Sequence, residues 1–210
     1  MESQSQNANM KDSISDLSNM VFGVALSIGA LILINNISGS TTSVSVIVSL
    51  TTFAFSFLLI IYIWFRYVKA IELMYIRTGM EVTLNVLILF LVVIEPYLFY
   101  LLHTSSLSLL NTASTLFALD FAALLLVLYI FYKIGIDACK KAGRKISTYY
   151  RSMRDSLLIS GIFFGISALP VFFNINLFGT ELRFLMWFAA IPLGVALRHI
   201  SRYLRKVNVL

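Results

Sequence analysis

Hydrophobic residues fall into six long blocks along the chain, separated by short polar stretches. Leu17 to Asn35 is the first, and Thr41 to Phe65 follows without a single charge. Val82 to Leu102 is interrupted only by Glu95, and Leu107 to Tyr132 only by Asp120. Leu157 to Leu177 and Phe184 to Leu197 complete the set. A hydrocarbon core of about 30 Å takes roughly 20 apolar residues in a helix, and the first five blocks are of that order. Backbone polar groups in lipid must be satisfied within the segment, so each block is expected to be a helix. The sixth block is short and carries Pro192 near its end. It either extends through Leu182 and past Arg198, with basic side chains snorkelling to the interface, or is re-entrant and leaves five spans. Residues 1–12, rich in Ser, Gln and Asn without apolar periodicity, are expected to form a disordered tail. That leaves 13–210 as a single six-helix transmembrane domain. No basic stretch leads directly into the first block, so that block is expected to stay as a membrane helix rather than a cleaved signal.

Composition agrees with this pattern. Of the 210 residues, 59% are hydrophobic and 12% charged, against about a quarter charged in a soluble domain. The mean hydropathy of +0.89 fits an all-α, polytopic membrane protein. Its single cysteine, Cys139, excludes an intrachain disulfide framework and reads as a free thiol on the reducing side of a membrane.

The net charge of +6 is a topology signal because of where the cations fall. Lys11 precedes the first block; Arg66, Lys69 and Arg77 lie between the second and third. Lys133, Lys140, Lys141, Arg144, Lys145, Arg151 and Arg154 lie between the fourth and fifth, and Arg198, Arg202, Arg205 and Lys206 follow the sixth. With six spans all of these share one side, and only Arg183 lies on the other. The positive-inside rule then places both termini in the cytoplasm of a multi-pass protein of the cell membrane. The expected partner of the cationic side is the lipid bilayer with its anionic lipids. Nucleic acid is not expected, since no basic patch is interleaved with aromatics.

Groups that would carry enzymatic chemistry are missing. The two histidines, His103 and His199, fall on opposite sides, and there is no Cys/His cluster, phosphate-binding glycine loop, G-x-S-x-G or H-E-x-x-H. No TVGYG selectivity filter occurs either. Neither enzymatic activity nor a cofactor or metal is expected. Two ionisable residues lie inside blocks, Asp120 and Glu95, and such residues are costly in lipid. They are read either as a proton or cation site or as hydrogen-bonded groups holding helices together.

The first block differs from the rest. Gly23, Ser27 and Ala30 recur at helical spacing, and Ala25 and Gly29 form a second small pair that would let helices approach closely. Val24, Ser27, Ile28 and Leu31 share one face at i, i+3, i+4 and i+7. Asp16, Ser18 and Asn19 make one end polar; Asn35 and Asn36 make the other so. From residues alone the stripe is either a packing face or, in symmetric copies around an axis, a narrow apolar pore with polar mouths.

The run Leu17 to Gly29 resembles the start of helix one in the family of lysosomal and endosomal potassium channels and their six-helix prokaryotic relatives. Ser18, Val21, Phe22 and Ala25 agree with the motif F-S-D-G-V-F-A-I-A-I-T-L-L, and Val24, Leu26, Ser27 and Ile28 are conservative. Trp64 near the end of the second block, Asn85, Leu87 and Pro96 in the third, Asp120 in the fourth and the basic connection before the fifth also fit. The motif itself covers about thirteen residues. Asn19 stands where the family has Asp, Leu17 where it has Phe, Ser13 near the place of an Arg, and Tyr67 where a His is frequent. The family's charged anchoring network is thus lost as a set, and Asn19 with Tyr67 could offer a neutral hydrogen-bonded substitute.

This resemblance implies a homotetramer that conducts potassium ions passively, with helix one lining the pore. Carried over by position, the constriction falls on Val24, Ile28 and Leu31, a pore hydroxyl on Ser27, the helix-one motif on Ser18, Asn19 and Phe22, and the mouths on Asp16 and Asn35. The gate would be hydrophobic, controlling wetting, and Asp16 in fourfold repeat would concentrate cations. The alternative is a proton-coupled secondary transporter using Asp120 and Glu95, although no inverted repeat is visible.

Overall fold

The computed structural model describes residues 2–38, 43–73, 79–104, 107–177 and 180–207. Among them six α-helices run in chain order: α1 Glu2–Ser38, α2 Ser43–Leu73, α3 Gly79–Thr104, α4 Leu107–Lys141, α5 Thr148–Ser167 and α6 Leu182–Val207. Four contain a stretch long and apolar enough to cross a membrane, by length and composition: Ser13–Asn35, Phe53–Leu73, Gly79–Leu102 and Leu109–Lys141. The chain is a helical, multi-pass membrane protein.

The chain divides into two compact units, Met1–Phe117 and Ala118–Leu210. The boundary falls inside α4. In the first unit α1 packs on α2 and α3, and α2 on α3; in the second α5 packs on α6.

Several boundaries differ from the hydropathy blocks. α1 begins at Glu2, upstream of the first apolar block. α2 runs on through Arg66 to Leu73, and α4 through Lys133 to Lys141, because a charge ends an apolar block without ending a helix. The end of α4 is set by Gly143, which takes the left-handed conformation at φ 68°. Arg144 N–H then reaches the Cys139 carbonyl at 3.0 Å and Gly143 N–H the Lys140 carbonyl at 3.0 Å, the Schellman pattern that closes a helix. Ser147 caps α5 by accepting from Tyr149 N–H at 3.2 Å.

The fifth block is not one helix over 157–177, since α5 stops at Ser167. Leu169 precedes Pro170 and is extended (φ −68°, ψ 136°), as the proline ring requires of its neighbour. Pro170–Phe173 then makes a single 3-10 turn. Beyond it Asn176 pairs with Glu181 and Leu177 with Thr180, antiparallel. α6 extends its block in both directions, from Leu182 past Arg198.

The core of each unit follows from side-chain size. In the second, α5 buries Ser152, Ser156, Ser160 and Gly161 on one face, and small residues let helix backbones approach. A Cβ on Gly161 would lie 3.1 Å from Leu126 Cγ. In the first, Phe99 meets Phe117 edge-on at 4.7 Å between ring centres.

Candidate functional site

α1 has two unlike faces. Ser18, Phe22 and Ala25 point into the first unit and are 1%, 2% and 0% exposed. The helical spacing of these three puts them on the side that meets α2 and α3. Asp16, Val24, Ser27, Ile28, Leu31 and Asn35 are all exposed; Val24 is 48% and Leu31 59% open. At 100° per residue these uncovered positions fall within one side of the helix, from one polar end to the other. The apolar middle is thus flanked by Asp16 and Asn35, with one hydroxyl among the aliphatic groups.

Ser27 Oγ donates to the Gly23 carbonyl of its own helix at 2.8 Å. Its proton is committed there, so the oxygen's remaining lone pairs are the groups it can offer outward. Ala25 is sealed, whereas a Cβ added to Gly23 would meet nothing within 4 Å. Gly23 accordingly lines a groove of about 300 Å³ together with Asn19, Phe22, Leu26, Ile61 and Trp64.

The buried face is held by a chain of neutral polar groups. Ser18 Oγ donates to the Ile14 carbonyl at 2.6 Å and is also hydrogen-bonded to the Tyr67 hydroxyl. The Tyr67 hydroxyl donates to Asn85 Oδ1, so one phenol ties α1, α2 and α3 together. The ring of Phe22 packs on that of Tyr67, 5.6 Å between centres. Trp64 Nε1 donates to Asn19 Oδ1 at 3.0 Å on the exposed side. Asn19 and Tyr67 are therefore not each other's partners: Asn19 takes Trp64, and Tyr67 takes Ser18 and Asn85.

Counting protons shows how strongly this chain orients its members. Ser18 has one hydroxyl proton and two acceptors near it, the Ile14 carbonyl and the Tyr67 oxygen. Turning the Asn85 amide so that Nδ2 faces Tyr67 lets every group donate once, from Asn85 to Tyr67 to Ser18 to Ile14. With Oδ1 facing Tyr67, the two hydroxyl protons serve two of the three contacts; with Nδ2 facing it, all three are served.

Glu95 lies in the first unit, on the same face of α3 as Val92, and is 2% exposed. Asp120 belongs to the second unit and is half-buried on α4. The two carboxylates are thus carried by different units.

Two buried cations escape a reading by hydropathy. Arg66, one residue before Tyr67, is buried inside α2. Its Nη2 donates to the Tyr62 hydroxyl at 2.9 Å, and its guanidinium carbon lies 4.8 Å from the centre of the Tyr62 ring. The available signal is Tyr62 one helical turn before Arg66. Arg183 is fully buried at the start of α6, ion-paired with Glu181 and placed 4.3 Å from the Phe173 ring centre and 4.9 Å from that of Phe184. Burial lowers the pKa of its guanidinium, and the Glu181 carboxylate beside it works in the opposite direction.

No protein-family profile, curated protein or solved structure matches the chain.

Proposed function

We propose that the chain is one subunit of a passive, potassium-preferring cation channel whose pore runs along an axis lined by α1. The observation that carries this reading is the division of α1 into a buried face, Ser18, Phe22 and Ala25, and an open stripe through Asp16, Val24, Ser27, Ile28, Leu31 and Asn35. A face turned only to lipid has no use for an acid, a hydroxyl and an amide in register with its aliphatic residues. Around a symmetry axis the same stripe makes an apolar constriction between polar mouths. The helix-one resemblance supplies the ion, potassium, and the count of four subunits.

In this reading Val24, Ile28 and Leu31 form a hydrophobic gate in the cell membrane. A narrow ring of aliphatic side chains excludes water, and widening it admits hydrated cations. Asp16 in fourfold repeat raises the cation concentration at the cytoplasmic mouth. The six-span topology with both termini inside belongs to the same proposal. It is supported by the one-sided distribution of Lys and Arg, with α5 and α6 supplying the two shorter crossings.

The test is a potassium-driven flux assay on the full chain in liposomes. Flux is expected, and Val24→Asn or Ile28→Asn is expected to raise it about tenfold by wetting the constriction, equivalent to roughly 1.4 kcal/mol off the barrier. Absence of flux in wild type and both variants under a potassium gradient overturns the proposal. The second reading, a proton-coupled transporter, draws on Glu95, because a carboxyl so deeply buried in an apolar helix is costly when ionised. It requires saturable, pH-dependent uptake that Asp120→Asn or Glu95→Gln abolishes.

A further inference from the structure

α6 changes character at Arg198. From Phe184 to Leu197 it is apolar all round, and Trp187, Ala190 and Gly194 on one side are buried. From Arg198 onward the helix is divided lengthwise. Arg198, Arg202 and Arg205 recur at i, i+4 and i+7, with Lys206 beside them, while Ile200, Tyr203, Leu204 and Val207 occupy the opposite register. Ile200 is 53% and Tyr203 69% exposed. The register thus sets a row of cations opposite Ile200 and Tyr203, both of which are open.

We infer that residues Arg198–Val207 form an interfacial anchor that lies along the bilayer surface and binds the phosphate groups of anionic lipids. Charge complementarity selects the occupant. Cations at the level of lipid phosphates and apolar side chains at the acyl boundary are what an interfacial helix presents, and anionic leaflets attract such segments. Length decides the orientation. Ten helical residues measure about 15 Å, whereas the headgroup layer on each side of the hydrocarbon is only about 5–8 Å thick. Standing upright, the segment would carry its last cations and Tyr203 beyond the phosphates; lying flat keeps all of them at one depth.

The inference rests on the membrane placement and not on the pore, since its readout involves no ion movement. The full chain carrying Cys139→Ser and Tyr203→Cys is labelled with a polarity-sensitive thiol dye. It is reconstituted in phosphatidylcholine vesicles and in equimolar phosphatidylcholine and phosphatidylglycerol. Dye emission is expected to shift to the blue and to resist an aqueous quencher in the anionic vesicles, and to revert in high salt. Arg198→Gln, Arg202→Gln and Arg205→Gln together are expected to abolish the shift. Equal emission and equal quenching in the two vesicle types overturn the anchor, as does a shift that high salt leaves unchanged. A shift that arises only on adding an acidic protein or a nucleic acid also overturns it. The comparison between vesicles needs no change to the arginines, so it stands even where the triple variant misfolds. Alkaline extraction of the same vesicles reports separately whether the chain is embedded at all.

Discussion

The two units hold their helices with different polar chemistry. In the first, Ser18, Tyr67 and Asn85 link three apolar helices through hydroxyls and an amide, within stretches that can cross a membrane. In the second, a full ion pair, Arg183 with Glu181, secures the turn between α5 and α6, outside those four stretches. Removing one member of a neutral chain costs about 1–3 kcal/mol, less than breaking a buried ion pair, because the groups left behind carry no net charge. A buried ion pair is secure only as a pair, because each charge is stranded without the other. The first construction is therefore suited to a helix that has to shift, and the second to a corner that has to stay.

The largest expected effect follows from stranding a charge. Glu181→Ala leaves the Arg183 guanidinium buried between two phenylalanine rings, and breaking a buried pair this way costs about 3–5 kcal/mol. Glu181 retains some exposure, 24% for its side chain, which places the loss toward the lower end. Thermal unfolding of the purified protein in detergent measures it. The double change Glu181→Ala with Arg183→Met is expected to recover most of the loss, since no charge is left behind. A single variant as stable as wild type would erase the contrast between the units.

Tyr67→Phe comes next, at about 1–2 kcal/mol, because it removes the one hydroxyl shared by three helices while leaving the ring packed on Phe22. Ser18→Ala is expected to cost about half as much, within the usual range for hydrogen bonds between membrane helices. Tyr67 would still donate to Asn85. Equal losses would mean that Tyr67 acts through Ser18 alone, and that α3 is not part of the chain.

The stripe on α1 was legible in the sequence because helical spacing is a local property. Val24, Ser27, Ile28 and Leu31 were placed together by periodicity alone, and all four are uncovered. Ser18 and Phe22 were visible as a motif, but their partners were not, since Tyr67 and Asn85 reach them through packing of α2 and α3. Charge is a poor marker of helix ends: Arg66 follows an uncharged block, yet it is buried inside α2 beside Tyr62. Hydropathy averaging likewise hid the break at Leu169–Pro170, a local stereochemical signal diluted by the apolar residues around it. The burial of Arg183 had only a faint sign, its isolation from every other cation in the chain.

The smallest effect sharpens the comparison from the other side. Trp64 donates to Asn19 on the exposed face of the first unit, at 3.0 Å. Removing it by Trp64→Phe leaves the Asn19 amide open to other hydrogen-bonding groups, so the expected loss is about 0.5 kcal/mol or less, at the low end for such bonds. Its effect on position should exceed its effect on stability. Trp64 and Asn19 both line the groove beside Gly23, and this bond ties α1 to α2 along the edge nearest the open stripe. Loosening that edge while Tyr67 still grips the buried face lets α1 turn about its own axis rather than detach. The expected result is an unchanged unfolding temperature together with an altered potassium flux through the liposomes. A fall in stability as large as that of Tyr67→Phe would show that the exposed bond, and not the buried chain, is what secures α1.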